Sequence, residues 1–131
     1  MARKKLFAAN WKMNKTIEEA VSFIDNFKNS VKNQQNEIVI CPPFTALYEV
    51  KKSIKNTKIR LGAQNMHFEE KGAFTGEVSA SILKDAGCEY VILGHSERRI
   101  YFDETDEMIS KKIKIALKNK LKVILCIGET L

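Results

Sequence analysis

A chain of 131 residues, 44% of them apolar, is long enough to bury a core of its own. Charged residues make up 29% with no long block of one sign, which argues against disorder. Lys and Arg exceed Asp and Glu by 22 to 16, and that balance of +6 fits an anionic partner, whether phosphate metabolite or RNA, as well as plain solubility.

Leu6 to Ala9 is a short apolar run closed by Asn10-Trp11-Lys12-Met13-Asn14. Thr16-Ile17-Glu18-Glu19 has the form of a capping box, in which Thr16 satisfies the amide of Glu19 and Glu19 reaches back. Ala20, Ile24, Phe27 and Val31 recur at helical spacing, and Asn33 to Asn36 is a polar loop. Ile38 to Cys41 reads as a buried strand stopped by Pro42-Pro43, neither of which can donate to a ladder. Leu47, Val50 and Ile54 mark a second helix, and Ile59 to Ala63 a third strand.

Gln64 to Val78 is a long loop carrying Met66, Phe68 and Phe74, and loops of that length are normally functional or disordered. Its aromatic content argues for function. Ser79 caps a third helix that Gly87 ends. Tyr90 to Gly94 is a fourth strand. Asp103 or Thr105 caps a further helix with Asp106 and Glu107 in its first turn and an apolar stripe of Ile109, Ile113, Ala116 and Leu117. Val123 to Ile127 is a fifth strand, followed by Gly128-Glu129-Thr130-Leu131.

Cys41, Cys88 and Cys126 are odd in number and far apart, which suggests reduced, buried thiols in the cytoplasm rather than a disulfide frame. With no C-x-x-C pair and two histidines, a structural zinc site is not expected. No apolar run approaches membrane-spanning length, and no aromatic-rich basic motif points to RNA. Arg3-Lys4-Lys5 before Leu6 imitates the start of a signal peptide, but the apolar part is too short.

Apolar strands alternating with helices predict a parallel α/β sheet with right-handed crossovers, either an open doubly wound sheet or part of a (β/α)8 barrel. No G-x-G-x-x-G or G-x-x-x-x-G-K-[ST] follows any strand, so the nucleotide-binding open sheet loses its main support. The most informative junction is Tyr90-Val91-Ile92-Leu93-Gly94-His95-Ser96-Glu97-Arg98-Arg99. There a buried strand stops at Gly94 and opens into ionisable groups, at the sheet edge where α/β proteins keep their chemistry. Taken alone, a capped surface turn with a solvated histidine explains it as well.

Six such junctions together resemble the triosephosphate isomerases. They are Phe7 to Asn14, Cys41-Pro42-Pro43-Phe44, Gly62-Ala63-Gln64-Asn65, Gly72 to Glu77, Gly94 to Arg99 and Cys126 to Thr130. They stand in the family's order, one after almost every strand. The resemblance implies a (β/α)8, or TIM, barrel, which takes roughly 250 residues. This sequence stops just after the fifth strand. The expectation is therefore the amino-terminal half of the fold, a single unit over residues 1–131, with no counterpart of the family's catalytic glutamate or closing loop. Such a half is expected to have negligible activity alone.

The implied reaction interconverts dihydroxyacetone phosphate and glyceraldehyde 3-phosphate through an enediolate, a step of glycolysis and gluconeogenesis, with no cofactor and no metal. The resemblance makes His95 the electrophile that steadies the growing oxyanion as a neutral ring, a tuning for which this family is the familiar example. Lys12 becomes the cation for phosphate and enediolate, and Asn10 a substrate hydrogen bond that also holds Lys12. Glu97 pairs with Lys12 or relays protons, and Ser96 is as well read as a cap as a contact. Arg98 and Arg99 are structural or interfacial. Thr75, with Phe74, Gly76 and Glu77, tips a loop that docks into a second subunit to support its Asn10 and Lys12. The expected partners are a phosphorylated triose and either a second copy or the missing carboxyl-terminal half, with no nucleic acid and no membrane. Two other readings stay open: a non-catalytic half-barrel assembly module, and a basic phosphate- or RNA-binding α/β domain.

Overall fold

A computed structural model of the chain describes residues 2–128. Five parallel strands lie side by side in chain order: β1 (Leu6–Asn10), β2 (Glu37–Cys41), β3 (Ile59–Ala63), β4 (Tyr90–Leu93) and β5 (Lys122–Leu125). Between them run α1 (Ile17–Ser30), α2 (Leu47–Ser53), α3 (Ala80–Asp85), α4 (Ser96–Tyr101) and α5 (Asp106–Lys118). A single 3-10 turn over Phe44–Ala46 leads into α2. The architecture is a half-barrel with helices between successive strands. Among the described residues, β1 pairs only with β2 and β5 only with β4.

Local chemistry sets the helix starts. Thr16 and Glu19 form the reciprocal capping box at α1, with Thr16 N donating to Glu19 Oε2 at 2.8 Å. Ser79 caps α3, and of the two candidates before α5 it is Thr105 that caps. The fifth strand begins one residue before Val123 and stops at Leu125, so Cys126 and Ile127 fall outside it.

Strand side chains alternate between two clusters. Ile40, Leu61, Ala63, Val91 and Leu93 face the helices, where they pack with Ala20 and Ile24 of α1, Val50 of α2, Leu83 of α3 and Ile109 and Ala116 of α5. Val39, Cys41, Tyr90 and Ile92 form a smaller cluster on the other face, with Ile124 and Cys126 against it. β4 is buried along its whole length, as its unalternating sequence requires. β1 is not: Leu6, Phe7 and Ala8 are exposed, because this strand has a neighbour on one side only.

Two expectations about the long loop and the thiols need correction. Met66 belongs to the long loop whose tip is expected to dock into a second subunit, yet it is buried in the helix-side core of its own chain. Cys41 and Cys88 are buried, but Cys126 is only half-buried because it follows the end of β5.

Candidate active site

The carboxyl ends of β1, β3 and β4 bring the charged groups together. Where β1 ends, Trp11 N continues the ladder to Cys41 O at 3.1 Å, and the Trp11 ring packs edge-on against Phe23 of α1. The next residue, Lys12, takes a left-handed backbone at φ +57°. Its amide donates to Asn10 Oδ1 at 3.0 Å, and its carbonyl accepts from Gln64 Nε2 at 3.0 Å. The same Gln64 nitrogen reaches Cys41 O at 2.8 Å, so one amide group ties the ends of β1 and β2 to that of β3.

From this fixed backbone the Lys12 ammonium reaches Glu97 Oε1 at 2.6 Å. Hydrogen bonding to Lys12 holds the Glu97 carboxyl below the usual carboxylate range. Partial burial opposes that shift, and the Lys12 charge adds to it.

Gly94 makes the turn from β4 into α4 at φ +73°. A Cβ there would lie 3.2 Å from the carbonyl of Cys126 and 3.3 Å from Ile109 Cδ1, so both the backbone and the space select glycine. His95 is the cap of α4: its Nδ1 accepts the Glu97 amide at 3.1 Å. A nitrogen that accepts an N–H carries no proton, which leaves Nε2 as the donor atom of the neutral ring. Ser96, read from sequence as cap or contact, is simply the exposed first residue of α4.

Asn10, Lys12, Asn65, His95, Glu97 and Arg98 line a common recess of about 270 Å³. Beneath it lies a buried charge cluster. Glu104 Oε2 accepts from Arg98 Nε at 2.6 Å and from Lys112 Nζ at 3.1 Å, and Lys112 also donates to Asn65 Oδ1 at 2.9 Å. Arg99 donates to the Gly94 carbonyl at 2.8 Å and to Asp106 at 2.6 Å. Glu104 and Lys112 were missed in the sequence. A signal existed for the second: Lys112 stands three residues after Ile109 and four before Ala116, on the buried stripe of α5.

Thr75, Phe74, Gly76 and Glu77 are not part of this recess. They form an exposed turn closed by Glu77 N to Phe74 O at 3.0 Å, with Gly76 at φ +86° in the third position. The Phe74 ring packs on His67 at 4.5 Å, and Glu77 Oε2 lies 3.6 Å from His67 Nδ1. Glu129, a conceivable substitute base, lies outside the described residues. Among the described residues no helix is long and apolar enough to cross a membrane.

Lys12 and Glu97 thus meet beside the capping His95 at the strand ends, and comparison with known proteins decides the family. The family model described as triosephosphate isomerase matches residues 5–131. The chain belongs to that family. It is 57% identical to the triosephosphate isomerase of Alkaliphilus metalliredigens over 98% of this chain and 52% of that protein. The triosephosphate isomerase of Endomicrobium trichonymphae is 58% identical, with the same coverage. In three dimensions the chain is similar to the crystal structure of triosephosphate isomerase from Bartonella henselae. The TM-score is 0.92 at 37% identity, over 98% of this chain and 53% of that one. The chain thus spans about half the length of the curated family members it matches.

Proposed function

We infer that this chain supplies the electrophilic and cationic side of a triosephosphate isomerase site, acting on a phosphorylated triose. His95 would donate from Nε2 to the carbonyl oxygen on which negative charge grows, and that donation is worth more in the transition state than in the substrate. Lys12 would neutralise phosphate and enediolate, Asn10 would position Lys12 and the substrate, and Glu97 would hold the ammonium in place. The observation that carries this reading is that Lys12, bound to Glu97 Oε1 at 2.6 Å, lines the same recess as His95, whose Nδ1 accepts the Glu97 amide at 3.1 Å and so leaves Nε2 as the donor.

The base is assigned elsewhere. Among the described residues Glu97 is the one carboxylate lining the recess, and its salt bridge to Lys12 makes it a weaker proton acceptor. The proposal therefore includes a partner: a carboxyl-terminal half that carries the base and completes the barrel. The exposed turn at Thr75 is proposed to dock into a second copy, with Phe74 as its apolar anchor. Three free thiols fit a cytoplasmic setting.

A coupled isomerase assay tests the reading. The chain alone should show negligible turnover, and a relative's carboxyl-terminal half should restore it. In the restored complex His95→Gln should lower kcat by about 10²–10³-fold, the usual cost of one oxyanion donor. Turnover by the chain alone that survives His95→Gln would refute the assignment.

A further inference from the structure

The rim leaves the surplus of positive charge unexplained, because its ammonium group is already matched by Glu97. At the opposite end of the sheet, α1 turns into β2 and α2 turns into β3. Between those two turns the surface opens into a recess of about 330 Å³. Lys28, Lys32, Lys55 and Lys58 line it, and no carboxylate does. Ile38 and Ile59, near the starts of their strands, give it an apolar wall.

Lys28 is paired with Asp25 at 3.0 Å. Among the described residues, Lys32, Lys55 and Lys58 have no carboxylate within ion-pairing distance. Glu37, which follows the Asn36 side of the recess, accepts the Tyr90 hydroxyl at 2.6 Å.

The plain explanation for lysines in this place is the helix dipole, since both α1 and α2 end there. The charges do not balance. Two helix ends supply at most about −1 between them, and Asp25 supplies one more, against four ammonium groups. About two positive charges are left uncompensated.

We propose that this recess binds a small anion carrying two or more phosphate groups, at a site separate from the rim. Lysine heads on flexible stems suit a multiply charged ligand, because each can turn to a different phosphate. A volume of about 330 Å³ lies within the range of small-molecule sites. One phosphate would leave most of the ammonium groups unmatched. A single-stranded nucleic acid would call for aromatic stacking surfaces, and no aromatic residue lines the recess. The proposal stands independently of the isomerase reading.

Calorimetric titration of the full chain with inorganic tripolyphosphate tests it. Saturable one-to-one binding is expected, weakened at least tenfold in the K32Q/K55Q/K58Q variant and unchanged within twofold in Lys12→Gln. Amide NMR shifts on binding should fall on residues 31–36 and 54–58. The three substituted lysines are exposed, so the variant should melt like the parent, and a melting curve verifies that. Full affinity in the triple variant overturns the proposal. So does loss of binding in Lys12→Gln, which would place the anion at the rim. Preference for single-stranded RNA over tripolyphosphate overturns it as well.

Discussion

Lys12 occupies a backbone conformation that costs a side-chain-bearing residue about 1–2 kcal/mol, and three neighbours hold it there. Asn10 takes its amide, Gln64 its carbonyl and Glu97 its ammonium. The Glu97 carboxyl reports on that hold. Its NMR titration midpoint should lie below the ordinary carboxylate range and rise when Lys12→Gln removes the hydrogen bond. The associated stabilisation is in place above the unfolded carboxyl's midpoint and is lost as pH falls through the lower, folded one. An unmoved midpoint in Lys12→Gln would count against the ion pair in solution. The thiols behave in the opposite sense. Burial pushes Cys41 and Cys88 up to about 12. At pH 8 both should react with a thiol reagent roughly a thousandfold more slowly in the folded chain than in urea. Because the neutral thiol is favoured by the fold, stability should decline as pH climbs from about 8.5 towards about 12. Equal reactivity in folded and unfolded chains would contradict their burial.

The decisive connection between elements is the one that α5 makes to the base of the long loop and to α4. Lys112 and Glu104 are 4% and 1% exposed, and Glu104 also carries Arg98. Burial lowers the Lys112 pKa, with Glu104 opposing that shift. Removing the shared carboxylate strands two cations, so Glu104→Ala should cost about 3–5 kcal/mol in urea unfolding. Lys112→Met keeps the volume and leaves Arg98 on Glu104, so its cost should be the smaller of the two. The reverse order would sink this account. The spacing of α5 marks Lys112 as a buried position, but its partners could not be read from the sequence, because Asn65, Arg98, Glu104 and Lys112 meet only once β3, α4 and α5 are packed. The strands could be read, since Ile38 to Cys41 and Tyr90 to Leu93 are apolar without alternation and are in fact covered on both faces. The burial of Met66 could not, because a loop residue's cover depends on helices distant in sequence. The slip of β5 has a local cause: among the described residues the strand pairs with β4 alone, and that ladder ends at Leu93 opposite Leu125.

Across the whole molecule the unfinished business lies at the two sheet edges. Phe7 of β1 is 54% exposed and Ile127, just past β5, is 85% exposed. Unpaired parallel edges with apolar side chains invite another chain. Sedimentation velocity should show mass rising with concentration, and Phe7→Lys should shift the distribution towards the monomer. A monomer at every concentration would mean that these edges are protected in solution. The family motifs were legible because they sit where strands end, and strand ends are marked in the sequence by Gly, Pro and abrupt polarity. No local pattern links Lys12 with Glu97, 85 residues away, and only the family resemblance implies their pairing. The strand order carries one more consequence. Each strand docks beside its immediate predecessor, so no later segment has to be threaded between earlier ones. The sheet can therefore lengthen from one side while the ribosome is still translating, each new βα unit finding its template already laid down.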